Sequence, residues 1–295
     1  MVDTRGVLGP VELPAALTRG LQVSDVREVD GGSIAQVYRL RSGTRTIFAK
    51  TLVGAPEGFF DRETSGLRAL RETGTVLVPS VIRHTSVGLL LEWIPPGEAS
   101  QQSVAAAERF GRQLTRLHHT HGAHFGSVDD VPVGYLGSVA LDLHPESSYY
   151  ASYLHRRVLP LTKEAVARDR LDPAALGLVE RLIARGPDVC GPPEPPALVH
   201  GDLWSGNRVI AADERQWVVD PSAHFGHREF DLALMRLLGG FEERVFAAYD
   251  EVSPLSQGWR ERLDLHQLVP LLANALMFGE VYAERVMSRL RRLAR

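Results

Sequence analysis

Asp202 and Asn207 stand in the order Asp-x-x-x-x-Asn within Leu198-Val199-His200-Gly201-Asp202-Leu203-Trp204-Ser205-Gly206-Asn207, and Asp220 follows in Val218-Val219-Asp220-Pro221. These residue types suit phosphoryl transfer, a reaction whose barrier falls mainly through positioning and neutralisation of the negative charge on the phosphoryl group. In this order Asp202 can accept the proton of an attacking hydroxyl, while Asn207 and Asp220 offer hard oxygen ligands to magnesium. Each also has an ordinary use, because Asp and Asn cap turns and an aspartate before proline can end a strand. All three together, ordered strand, loop and strand, point to a kinase.

A second group lies upstream. Lys50 closes the apolar run Ile47-Phe48-Ala49-Lys50, and Glu63 follows thirteen positions later in a helical pattern. This is the arrangement in which a lysine that holds nucleotide phosphates is oriented by a helical carboxylate. A strand-end lysine is also commonly just solvated, and Arg62 or Arg68 can give Glu63 an ordinary surface pair. Gly31-Gly32-Ser33 sits between two strands, where backbone amides can approach phosphates, but a Gly-Gly pair equally suits a hairpin turn. ATP and Mg2+ are the cofactors these groups imply.

The elements that must position these residues follow from periodicity. Val26 to Val53 reads as a three-strand meander, and Phe59 to Thr73 as a helix stopped by Gly74. Val76 to Val81 and Gly88 to Trp93 read as further strands. Pro95-Pro96-Gly97 breaks the pattern before an Ala-rich helix from Val104 to His118, which puts a lobe boundary between residues 1–94, the nucleotide-binding half, and 95–295, the catalytic and substrate-binding half. Tyr149 to Arg185 reads as helical. Strands are expected at Ala197 to His200 and Gln216 to Val219, and helices after Glu229, closing with an amphipathic helix that carries Val286, Leu290 and Leu293.

On these residues the sequence resembles the fructosamine kinase family, the ketosamine 3-kinases, within the wider aminoglycoside phosphotransferase and protein-kinase-like group. The resemblance rests on His200 to Asn207 and on Asp220-Pro221-Ser222-Ala223-His224-Phe225-Gly226-His227-Arg228-Glu229-Phe230-Asp231-Leu232-Ala233. It continues through Gly31 to Ile34, Phe48-Ala49-Lys50, Glu63 with Gly66, and Leu91-Glu92-Trp93-Ile94, and so covers essentially the whole chain. It implies an α+β bilobal kinase-like fold: an N-terminal antiparallel sheet with one main helix, and a mostly helical C-terminal lobe. It also implies phosphorylation of a ketosamine by ATP, in deglycation repair or salvage, with Glu92, Trp93 and Ile94 at the adenine-contacting hinge. Trp204 can stack on a sugar ring. His224, His227 and Arg228 can touch substrate or order the metal loop, and Arg228 can equally pair with Asp231. Asn274 stands where relatives usually have His, and Ile34 where some eukaryotic members have Cys.

Composition narrows the alternatives. The 295 residues are 44% hydrophobic with a formal net charge of -3, so no overall positive field favours nucleic acid or an anionic membrane. The single Cys190 fits a reducing compartment, and the absence of a signal-like opening or an apolar run of about 18 residues fits a cytoplasmic protein. The histidines at 118, 119, 121 and 124 read as cations at a helix C-terminus rather than a metal site. A kinase acting on an aminoglycoside, a macrolide or choline is the main alternative, and an ATP-binding pseudokinase a further one. Oligomeric state is left open.

Overall fold

A computed structural model describes residues 13–29, 34–97 and 103–295. Gly31, Gly32 and Ser33 lie outside the described residues. Strands β1 (Val23–Glu28), β2 (Gln36–Ser42), β3 (Arg45–Thr51), β4 (Val81–Thr85) and β5 (Gly88–Glu92) form one antiparallel sheet in the order β1-β2-β3-β5-β4. The two-residue period of β3 decides what each face does. Ile47 and Ala49 join Tyr38, Leu40 and Leu90 in a cluster capped by Leu17 of α1 (Ala15–Thr18). Phe48 and Lys50 point the other way, towards α2 (Phe59–Glu72), with Lys50 opposite Val37 and Leu89.

Helix α2 buries Phe59, Phe60, Glu63, Gly66, Leu67 and Leu70, spaced so that they share one stripe. Gly66 is a costly residue in a helix interior, by about 1 kcal/mol relative to Ala. Its use is visible in the packing: a Cβ at Gly66 would stand 3.1 Å from Ala223 Cβ and 3.3 Å from Pro221 Cγ. The missing side chain lets α2 rest directly on the segment that follows Asp220.

The rest of the chain is mostly helical, with short strands that lead into the Asp202 and Asp220 loops. Helix α3 (Val104–His118) packs on α7 (Glu243–Val252), where Gly111 meets the Val245 carbonyl. Short strands β6 (Gly126–Ser127), β7 (Val133–Leu136) and β8 (Val139–Asp142) precede a π-helical segment, Ala151–Val158, that runs into α4 (Leu159–Ala167) and α5 (Ala174–Ala184). Strand β9 (Ala197–Val199) leads to the Asp202 loop, and the hairpin of β10 (Arg208–Ile210) and β11 (Gln216–Val218) leads to Asp220. Strand β12 (His224–Gly226) then returns antiparallel to β9, with His224 opposite Val199. Helices α6 (Glu229–Leu238), α7, α8 (Trp259–His266), α9 (Leu268–Phe278) and α10 (Glu280–Leu293) complete the core, and Val286 and Leu290 of α10 are fully buried. No helix among the described residues is long and apolar enough to cross a membrane.

The α+β architecture, the meander, α2, α3 and the helical C-terminal part match the sequence reading. Two expectations change. The strand expected from Val76 does not form ahead of Val81: Pro79 has no N–H to give a ladder, so only Leu77 pairs, with Trp217, and β4 begins at Val81. The Tyr149 to Arg185 helix winds as a π-helix before Pro160, where the Leu159 amide donates to the Leu154 carbonyl five residues back, and it breaks at residues 168–173, between α4 and α5. The Gly66 contact gives a direct test. Gly66→Val overpacks this junction and is expected to lower stability by about 1–3 kcal/mol, read as a shift in denaturant midpoint; an unchanged midpoint would mean that α2 does not need this close approach.

Candidate active site

Lys50, Glu63, Asp202, Trp204, Asn207 and Asp220 line one cleft between the sheet side and the β9–β12 loops. The Lys50 ammonium is buried and donates to Glu63 Oε2 at 2.9 Å and to Asp220 Oδ1. Burial opposes its charge, but the Asp220 and Glu63 carboxylates outweigh that and hold its pKa above the ordinary value. Glu63 is fully enclosed and must share this one ammonium with Asp220; burial pushes it up, to about 7, against the pull of Lys50. Asp220 itself adopts a left-handed backbone, φ 55°, which a non-glycine residue holds only where its surroundings fix it.

Asn207 binds the loops together. Its Nδ2 donates to the Asp202 carbonyl at 2.9 Å, to Asp202 Oδ2 at 2.8 Å and to the Asp220 carbonyl at 3.4 Å. All three neighbours are acceptors, which fixes the amide orientation and leaves Oδ1 without a hydrogen bond among the described residues. The Asn207 amide oxygen and the Asp220 carboxylate, on residues that line the same cleft, are a donor set that fits a hard divalent cation such as Mg2+. Asp202 is half-buried, and its pKa is pushed up to about 8 by burial and then by the Asp220 charge, against the Asn207 hydrogen bond and Lys50.

The Asp202 loop hangs from Asp231, a residue that the sequence offers as a possible partner of Arg228. Asp231, fully buried at the start of α6, accepts from the His200 amide at 2.7 Å, the Gly201 amide at 2.9 Å and His118 Nε2 at 3.1 Å. Burial works against its charge, but the His118 hydrogen bond and the His118 and His200 rings keep its pKa low. His118 Nδ1 in turn lies 2.8 Å from the Tyr249 hydroxyl, so this histidine is a buried bridge rather than an exposed helix end. His200 donates from Nε2 to the Val219 carbonyl and accepts the Asp202 amide at Nδ1. Gly201, at φ 80°, is the point where the Ser222 carbonyl touches this loop, and a Cβ there would collide with it.

The sequence model of the fructosamine kinase family matches residues 11–295. The chain belongs to the fructosamine kinase family. It is 34% identical to a protein of Enterococcus faecium named as a ketoamine kinase, over 88% of this chain and 91% of that one. It is 35% identical to one of the same name from Thermus thermophilus, over 91% and 95%. Among solved structures, one described as a fructosamine-3-kinase from Thermobifida fusca superimposes with a TM-score of 0.85 at 36% identity, covering 95% of this chain and 96% of that one. An aminoglycoside phosphotransferase, APH(4)-Ia, shares the fold with a TM-score of 0.64 at 14% identity, covering 92% and 94%. As a member of that family, this chain is a phosphotransferase.

Other residues of the family motifs sit away from the cleft. His224 is buried between the Ser222 carbonyl, which accepts from Nδ1 at 2.8 Å, and Arg157 Nη1, which donates to Nε2 at 2.8 Å. His227 stacks on His266 and accepts the Glu229 amide. Burial lowers His224 to about 3 and His227 to about 4, so both rings are neutral. Arg228 pairs with both oxygens of Glu194, at 2.7 and 2.9 Å, and not with Asp231. His227, Glu229 and His266 approach one another closely enough to suggest a metal, but Arg262 takes both Glu229 oxygens. Asn274 lies in α9 outside the cleft lining, one turn before Met277, which packs on Gly137 at the cleft. Glu92 accepts from the Ser80 amide and hydroxyl, Trp93 lies 5.9 Å from the Arg39 guanidinium, and with Ile94 they fall outside this cleft. Burial pushes the Cys190 thiol up to about 12, which removes it as a nucleophile.

The raised pKa of Asp202 has a sign that can be checked. The folded, metal-free protein keeps a proton that the unfolded chain releases near pH 4, so this residue withdraws stability as pH rises from about 4 to about 8. Asp202→Asn, which carries no titrating carboxyl, is therefore expected to melt above the wild type near pH 8, with the gain shrinking towards pH 4. The same melting-temperature difference at both ends would show that Asp202 titrates normally.

Proposed function

We propose that this fructosamine kinase family member transfers the γ-phosphate of ATP to a sugar hydroxyl of a ketosamine, with Asp202 as the base that takes the hydroxyl proton. The observation that carries the reading is the joining of Asp202, Asn207 and Asp220 by one amide, opposite a buried lysine that faces the same cleft. Residues 1–94 would hold the nucleotide: Lys50, oriented by Glu63, meets its phosphates, the sequence Gly31-Gly32-Ser33 offers them backbone amides, and Glu92, Trp93 and Ile94 serve the adenine. Residues 95–295 would hold the acceptor, with the Trp204 indole against the sugar ring. Mg2+ held by Asn207 and Asp220 would supply charge neutralisation for the transferred phosphoryl group. Offsetting the Asp220 charge also favours the ionised, basic form of Asp202.

His224, His227 and Arg228, with their partners Arg157, Glu194 and His266, support the loop that carries Asp220 rather than touch the sugar. A cytoplasmic ATP-dependent enzyme acting in deglycation or salvage fits this chemistry. The test is Mg2+-dependent ADP release by the purified protein with a synthetic fructose–amine adduct, alongside an aminoglycoside and choline. Turnover of the adduct, reduced at least about a hundredfold in Asp202→Asn, is the expected result. Turnover confined to another acceptor would discard the substrate, and no turnover with any acceptor would discard the transfer itself.

A further inference from the structure

Four carboxylates among the described residues line the cleft: Glu63, Asp129, Asp202 and Asp220. Three have their work assigned, since Glu63 and Asp220 share Lys50 and Asp202 is the base. Asp129 is left. It sits in the loop after β6, against α2, and receives Arg62 Nη1 at 2.6 and 2.8 Å. The Val131 amide also donates to it, at 3.0 Å. One third of the Asp129 side chain and 17% of that of Arg62 remain exposed.

We propose that Asp129 is the counter-ion for the ammonium group of the acceptor, and that the acceptor displaces Arg62 from it on binding. This rests on the ketosamine reading of the site. A ketosamine differs from a plain ketose by its secondary amine, which is protonated near neutral pH and has to find an anion or an aromatic face in the cleft. Asp129 offers the first. Phe59 and Tyr135, with ring centroids 5.3 Å apart, and Trp204 offer the second along the same cleft. Asp129 is the more exposed member of the pair, so a substrate ammonium can reach its carboxylate and exchange one cation for another. The Val131 amide keeps Asp129 in place while its partner changes, and its hydrogen bond helps, with Arg62, to hold the carboxylate ionised against burial. Arg62 is next to Glu63 in α2, so its backbone is fixed by the Lys50 pair and only its side chain has to move for the exchange.

The test compares two substrates for the wild type, Asp129→Asn and Arg62→Gln: 1-deoxy-1-propylamino-fructose and its ether analogue, 1-O-propyl-fructose. The readout is the amine-over-ether preference in kcat/KM. Asp129→Asn is expected to lower that preference about tenfold, the scale of one hydrogen bond to a charged group. Arg62→Gln, which frees the carboxylate, is expected to raise it through a lower KM for the amine. A purely structural Arg62–Asp129 clasp would move both variants in the same direction and both substrates alike, which would overturn the assignment. A wild type that turns over the amine, with a preference unchanged by Asp129→Asn, would overturn the Asp129 role alone. A wild type inactive on both sugars would overturn the ketosamine reading and this inference together.

Discussion

A single buried ammonium organises this molecule. Lys50 leaves the sheet in the middle of a core and is bonded to carboxylates from α2 and from the loop after β11. A charge in such a place is tolerated only if its partners are held to it, because leaving one member alone costs about 3–5 kcal/mol. The surrounding sequence can be understood from that need. The period of β3 turns Lys50 away from the Tyr38, Leu40 and Leu90 cluster. The stripe of α2 puts Glu63 on its buried face. Gly66 removes the one side chain that would keep α2 from the Pro221–Ala223 segment, and Asp220 accepts a left-handed backbone to face the lysine.

The opposite wall is held by a different network of the same kind. Asp231 collects two backbone amides of the catalytic loop and a histidine from α3, and His118 passes the connection to Tyr249 of α7. On the far side of the Asp220 loop, Arg157 holds His224, and His224 holds the Ser222 carbonyl against Gly201. Arg157 is fully buried, with hydrogen bonds to Ser152 and His224 rather than a carboxylate pair, and it belongs to the π-helical segment. A buried arginine and a stretch of π-helix are both costly, and such costs gather where a site must be kept in one geometry. Asp202 and Asp220 are thus set from two sides, joined by Asn207, and burial, with the Asp220 charge behind it, raises the Asp202 pKa.

Much of this was legible in the sequence because it is local. The alternation that ends in Lys50, the helical spacing around Glu63, the Ala-rich α3 and the Asp-x-x-x-x-Asn spacing each lie within one element or one loop. What escaped was long-range or too short to have a period. Asp231 and His118 are 113 residues apart and Arg228 and Glu194 are 34 apart, and no pattern in either neighbourhood names the other partner. Strands β6, β10 and β12 have two or three residues each and show no alternation. The π-helical turns look like ordinary helix until Pro160 is placed at the start of α4. Asp129 carried no motif at all, and its signal is its place in the cleft lining, bonded to Arg62.

The central claim is that the γ-phosphate of ATP ends on a ketosamine hydroxyl, and following the reaction by phosphorus-31 NMR tests it most directly. With Mg2+, ATP and a fructose–amine adduct, the expected result is loss of the γ signal matched by growth of a phosphomonoester signal that couples to a sugar proton. Growth of inorganic phosphate alone, or a γ signal that does not change, would contradict it.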